Sequence, residues 1–149
     1  MRTSDLVASF RDSFRRLAGA GLLSFFLAVK PVPASRPRVS KWGTYYAKTY
    51  ETFRKDATVA LNSFDGVPTD RPVIVWIEVV VEKPKTGKLL LPKGDVDNYA
   101  KGPLDVFTKA QKFWADDDQV VGLSVFKRYA QPGEQQGFHV MWAPVDLTN

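Results

Sequence analysis

Residues 73–82 read Val-Ile-Val-Trp-Ile-Glu-Val-Val-Val-Glu, and no other stretch limits the fold as tightly. Val73, Val75, Ile77, Val79 and Val81 alternate along it and are all β-branched. Such side chains are stiff at χ1 and fit the pleated surface of a strand. Residues two apart point to one face, so the run predicts a strand with one wholly apolar face. The opposite face mixes Ile74, Trp76, Glu78, Val80 and Glu82, which predicts only partial cover. A sheet face of this kind must be buried against other elements, which the rest of the chain has to supply.

Ahead of the strand, residues 4–18 predict an amphipathic helix, with Ser4 as cap and Leu6, Phe10, Phe14 and Leu17 at helical spacing. Arg11, Asp12, Arg15 and Arg16 fall on its other face, and Gly19 and Gly21 end it. Residues 24–30 predict a strand with Phe25, Leu27 and Val29 on one side. Residues 31–44 hold three prolines and predict a loop, because proline removes backbone donors. A helix is expected over 47–63, with Tyr50, Phe53, Ala57, Leu61 and Phe64 as its core stripe. After the strand comes a lysine-rich connection, with Lys88–Leu91 expected as a short returning strand. A helix from Asp97 or Asn98 to about Phe113 follows, then strands over 119–128 and 137–143.

The class is α+β with mixed α/β character. A single domain is expected, with a mixed sheet of about four to five strands, two core helices and an N-terminal helix. Residues 1–22 read as a helical extension and 23–149 as the core domain. The apolar run 17–29 is too short to span a bilayer, which takes about 20 residues. It leads into Lys30 and a Pro/Arg-rich turn where a signal peptide would carry a small-residue cleavage site, so export is not expected.

The chain has no cysteine, which excludes thiol catalysis, zinc–thiolate sites and disulfides. His139 is its single histidine, which excludes multi-histidine metal sites. The net charge is +5. Arg36, Arg38, Lys41, Lys48, Arg54 and Lys55 lie in one stretch, and Lys83, Lys85, Lys88 and Lys93 crowd the connection after the strand. Such clustering suits a polyanionic partner.

Against that background, five of the sixteen acidic residues sit in two short clusters, Asp95-Val96-Asp97-Asn98 and Asp116-Asp117-Asp118-Gln119. Neighbouring carboxylates repel unless a cation neutralises them. Oxygen ligands favour a hard divalent metal. Asp97 or Asn98 suits a helix N-cap, and Asp97, Lys101 and Asp105 follow at i, i+4 and i+8 along one helix face. If the strand after Gln119 lies beside the strand before Asp95, the two clusters are expected to meet at one end of the sheet. Pro103 is expected to bend this helix or to begin its regular part. Taken singly, an Asp-x-Asp pair is most often a solvated turn with a cap, and three aspartates a loop. Spacing leaves both readings open.

Taken together, the residues resemble the RusA-like family of Holliday junction resolvases, common in phages and prophages. The family pattern of D-x-D-N, a lysine, a further aspartate, then D-D-x-Q and an apolar strand is similar to Asp95-Val96-Asp97-Asn98, Lys101, Asp105, Asp116-Asp117-Asp118-Gln119 and Val120-Val121. Upstream, Pro31-Val32-Pro33, Arg36-Pro37-Arg38, Gly43, Tyr45 and Tyr50 look like the family's P-x-P and R-P-R segments and tyrosine-containing helix, and Lys127-Arg128 fits as well. The likeness covers roughly residues 24–143.

The resemblance implies a RusA-like fold over 23–149 and a homodimeric, Mg²⁺-dependent endonuclease that nicks two strands of a four-way DNA junction symmetrically. Mn²⁺ is expected to substitute. No nucleotide cofactor and no membrane are implied, and the location is the cytoplasm, the bacterial host's if phage-encoded. The family's essential acids match Asp95, Asp97 and Asp117 as catalytic and metal-holding residues, its lysine matches Lys101, and Asp116 is the neighbouring acid that assists. Asp118 stands at the variable position. DNA contacts are expected from Arg36, Arg38, Lys41, Lys85, Lys88, Lys93, Lys127 and Arg128. Two other readings use the same residues: a broader structure-selective nuclease on flaps and branched replication intermediates, and a basic DNA-binding module without catalysis.

Overall fold

The computed structural model describes every residue except Tyr46, Lys88 and Asn149, and all described side chains but that of Tyr45. Its elements are α1 (Thr3–Ala18), β1 (Leu23–Leu27), β2 (Arg38–Ser40), β3 (Gly43–Tyr45), α2 (Lys48–Ala60), β4 (Val73–Val81), α3 (Val96–Ala110), β5 (Val120–Tyr129) and β6 (Gly137–Pro144). The β-branched run becomes β4, flanked on both sides in a four-stranded sheet of order β1-β6-β4-β5. β4 runs parallel to β5 and antiparallel to β6. Parallel neighbours need a crossover, and α3 supplies it. The sheet is mixed, with two core helices and an N-terminal helix in a single domain, as the sequence predicts.

One face of β4 is as expected: Val73, Val75, Ile77 and Val79 are buried with Tyr50, Phe53, Ala57 and Leu61 of the α2 segment and Ala100, Val106 and Phe107 of α3. The other face is covered more fully than the sequence suggests. Val7, Phe14 and Ala18 of α1 pack with Trp76, Met141 and Ala143, and Trp76, Glu78 and Val80 are almost wholly buried.

The face of α1 that does this differs from the expected stripe. Its inward positions are Val7, Arg11, Phe14 and Ala18, spaced i, i+4, i+7 and i+11. Leu6, Phe10 and Leu17 stay partly or largely exposed. Arg11 belongs to the inward face because its Nη2 donates to Glu78 Oε2 at 2.6 Å. The helix begins at Thr3 with Arg2 at the cap position, so Ser4 lies inside it and caps nothing. Gly19, at φ 61°, ends it as expected.

Three other boundaries move. The proline-rich stretch holds a two-stranded hairpin, β2 paired with β3, that the sequence does not signal. Residues 89–91 form no strand and are exposed; Lys88 lies outside the described residues. Pro103 does not delay α3, which starts at Val96, continues past the proline and ends at Gln111 in a left-handed conformation. Only the Tyr99 carbonyl loses a helical donor there.

Gly102, beside that proline, packs directly against Phe53 of α2. A Cβ on Gly102 would stand 2.5 Å from Phe53 Cε1. Gly102→Ala is therefore expected to lower stability by about 1–3 kcal/mol through overpacking, read as a shift in the urea midpoint with unchanged slope. A midpoint equal to the wild type's would refute this account of the glycine.

A candidate active site along α3

α3 runs back from the loop after β4 to the turn before β5, and the acidic residues follow it. Asp95 is the cap residue of α3 by backbone geometry, yet its side chain makes no cap hydrogen bond. This corrects the expectation that Asp97 or Asn98 is the cap. Asp95, Asp97 and Lys101 are exposed and Asp105 is half-buried. None of the four makes a side-chain hydrogen bond or ion pair among the described residues. Their charges are left for something else.

The loop that delivers Asp95 is held by side chains from elsewhere. Lys127 Nζ donates to the carbonyls of Pro92 at 2.8 Å and Gly94 at 2.6 Å. Tyr129 Oη donates to the Leu91 carbonyl at 2.9 Å and Tyr99 Oη to the Lys93 carbonyl at 2.5 Å. Gly94 sits at φ 108°, where a Cβ would meet Pro33 at 2.8 Å and Tyr99 at 3.0 Å. The Ala34 N–H donates to the Asn98 carbonyl at 2.8 Å, which lays the Pro-Val-Pro segment against the first turn of α3. Burial, helped by the nearby Tyr129, raises the Tyr99 hydroxyl above its usual range, so it stays a donor.

The second cluster is a capping box. Asp116 Oδ1 accepts from the Asp118 N–H at 3.0 Å, and Gln119 Oε1 accepts from the Asp116 N–H at 2.8 Å. Gln119 Nε2 also donates to the carbonyls of Thr69 and Arg71, at 2.8 and 2.9 Å. Gln119 thus fixes the turn before β5, a role its motif position alone does not reveal. The three aspartates separate accordingly. The backbone bond from Asp118 holds the Asp116 carboxyl below its usual range. Asp117 is pushed up, first by sharing a hydrogen bond with Asp116, then by desolvation, and then by the charges of Asp116, Asp105 and Asp118. A carboxyl crowded by like charges is the one that a cation would relieve most.

The two clusters do not meet at one end of the sheet. β4 and β5 are neighbours as required, but they are parallel. Asp95 therefore lies toward the end of the pair marked by Lys127, and Asp117 precedes the start of β5 at the other end. Asp105, not Asp95 or Asp97, is the helical acid whose charge reaches Asp117. Eight residues of helix separate Asp97 from Asp105, about 12 Å along the axis. Among the described residues, no group of three or more Asp, Glu or His can hold one ion together.

The basic candidates divide. Arg36, Arg38, Lys41, Lys85 and Lys93 are exposed; Lys88 lies outside the described residues. Lys127 and Arg128 are engaged inside the protein. Arg128 Nε donates to Glu78 Oε1 at 2.8 Å, and its Nη1 and Nη2 donate to Glu134 at 2.6 and 2.8 Å. Burial works to raise the Glu78 carboxyl, but Arg11 and Arg128 outweigh it and hold it below its usual range. The bidentate bond from Arg128 pulls Glu134 down to about 2. His139 lies on β6 against the Phe26 ring, 4.7 Å between centroids.

Among the described residues no helix is long and apolar enough to cross a membrane. No curated protein matches the chain. A family model described as Endodeoxyribonuclease RusA matches residues 28–135, well over half of the chain, leaving out α1, β1 and β6 but spanning α3 and the turn before β5. The chain thus belongs to the RusA family, endodeoxyribonucleases that act on branched DNA junctions.

Proposed function

We propose that this chain is a Mg²⁺-dependent endonuclease that resolves four-way DNA junctions as a homodimer, nicking two strands symmetrically. The observation that carries the reading is the set of exposed, uncommitted charges of Asp95, Asp97 and Lys101 on a firmly held helix start, with Asp117 charge-crowded beyond the same helix.

The donor set fits a hard cation: carboxylate oxygens without thiolate or imidazole. Mg²⁺ usually takes one or two carboxylates with water and substrate phosphate, so a preformed cage of three is not required. Asp95 and Asp97 stand at one end of α3, and Asp117, with Asp116 beside it, lies beyond the other. With α3 between them, they suit one ion at each end better than a two-metal centre, whose ions stand roughly 4 Å apart. When bound, such an ion polarises a phosphoryl oxygen and acidifies a water. Lys101, one turn beyond Asp97, places positive charge where a phosphate would lie and offsets charge on the leaving oxygen. Lys127, Tyr129 and Tyr99 keep the Asp95 backbone in place.

Arg36, Arg38, Lys41, Lys85, Lys88 and Lys93 are the proposed phosphate contacts. Lys127 and Arg128 are withdrawn from that set because their donors are used internally. Twofold symmetry in a homodimer would present two such helices to two strands. The test compares cleavage of a four-way junction, a flap and a plain duplex, with Mg²⁺, Mn²⁺ or EDTA. Metal-dependent cutting that prefers the junction is expected, and binding should weaken steeply between 50 and roughly 200 mM salt. Preference for the flap would support the broader nuclease, and binding without cutting would support the non-catalytic module.

A further inference from the structure

Trp42 is the one tryptophan the fold leaves in water. It is 87% exposed, while Trp76, Trp114 and Trp142 are buried. A ring of that size in solvent forgoes a large hydrophobic gain. The hairpin that carries it is nonetheless well defined. Lys41 and Trp42 form the two-residue tip between Ser40 and Gly43. Ser40 Oγ accepts from the Trp42 N–H at 3.2 Å and donates to the Gly43 carbonyl at 3.3 Å. Gly43 takes φ 122°, a conformation that side chains rarely adopt. Lys41 Nζ stands 5.0 Å from the centre of the Trp42 ring, so a cation lies beside it. Arg36, Arg38 and Val39 are exposed on the same arm.

This arm starts at the active-site helix. Its root is Ala34, bonded to the Asn98 carbonyl in the first turn of α3. Four residues of chain, extended, limit Arg38 to about 14 Å from Ala34.

We propose that Trp42 is a base-stacking contact, which takes the face of an unpaired or unstacked nucleobase at the branch point while Arg36, Arg38 and Lys41 hold the flanking phosphates. The proposal rests on the reading of the chain as an enzyme of branched DNA and adds the residue that senses the branch. Aromatic rings stack on any base without regard to sequence, and basic neighbours supply the backbone term. In continuous duplex the base faces are already stacked, so the contact is selective for a discontinuity. A tip held by its own hydrogen bonds loses little freedom on binding.

The test measures binding of Trp42→Ala and Trp42→Phe in EDTA, where cleavage does not intervene. The probes are a four-way junction with 2-aminopurine at the branch and a fully paired duplex of equal length. Trp42→Ala is expected to weaken junction binding by about tenfold or more and duplex binding by less than about twofold. Trp42→Phe should recover most of the loss. In the wild type, the junction should quench both the exposed tryptophan and the 2-aminopurine. Equal losses on junction and duplex, or wild-type junction affinity in Trp42→Ala, would overturn the proposal while leaving the nuclease reading intact. A change of solution mass in Trp42→Ala would mark the hairpin as a subunit contact and overturn it as well. A wild type that binds neither DNA would overturn both readings.

Discussion

Asp97→Asn is expected to slow single-turnover junction cleavage by at least about a thousandfold, with junction binding unchanged or slightly tighter. The substitution keeps the shape of the side chain and removes the charge that a divalent ion needs. Asp97 is exposed and its side chain makes no hydrogen bond or ion pair among the described residues, so stability should change by no more than about 0.5 kcal/mol. The loss then reports chemistry and not folding. The same experiment orders the second cluster. Asp117→Asn removes the crowded carboxylate and should cost as much as Asp97→Asn. Asp116→Asn should cost far less, because asparagine Oδ1 can still accept the Asp118 N–H. Asp118→Asn should be close to wild type. An Asp116→Asn loss equal to that of Asp117→Asn would show that the cap residue is itself a ligand.

Arg128→Met is expected to be the most destabilising of the substitutions discussed, by about 3–5 kcal/mol at neutral pH. It leaves Glu78, almost wholly buried in β4, with Arg11 alone, and leaves Glu134 without its bidentate partner. Removing one member of a buried pair costs more than the pair contributes, because the remaining charge is stranded. The pH dependence has a definite sign. Both carboxyls have folded pKa values below their ordinary 4.5, Glu134 at about 2. Such groups stabilise the fold above the unfolded value and lose that contribution as pH falls through the folded one. Wild-type stability should therefore fall as pH drops from about 5 toward 2, and the gap between wild type and Arg128→Met should narrow over the same range. Urea unfolding at pH 7 and at acid pH measures it. A gap that stays constant would contradict the ion-pair account.

The strongest local signals in the sequence survive folding. β4 and the α2 stripe are legible because their periodicity is clean and an apolar side chain needs no specific partner to be buried. α1 is legible as a helix but not in its orientation. Pattern reading sets Arg11 on the solvent side, while Glu78, 67 residues away, draws it inward. The same blindness misassigns Lys127 and Arg128. Basic side chains near a motif suggest DNA, and only the fold reveals carbonyls and carboxylates waiting for them. The β2–β3 hairpin is hidden by prolines that argue for a loop. The acids are legible in the sequence as two clusters. Their separation is not, because it follows from β5 running parallel to β4 with α3 between them. Hydrophobic patterning is blind to that arrangement.

The most direct test of the account is a strand-by-strand map of junction cleavage. Four versions of one synthetic junction, each labelled on a different strand, are incubated with the wild type and with Asp97→Asn, in Mg²⁺ and in EDTA. The account predicts nicks at symmetry-related positions on two opposed strands, present only with metal and absent in Asp97→Asn. Cutting that persists in EDTA, or that Asp97→Asn leaves intact, would contradict it.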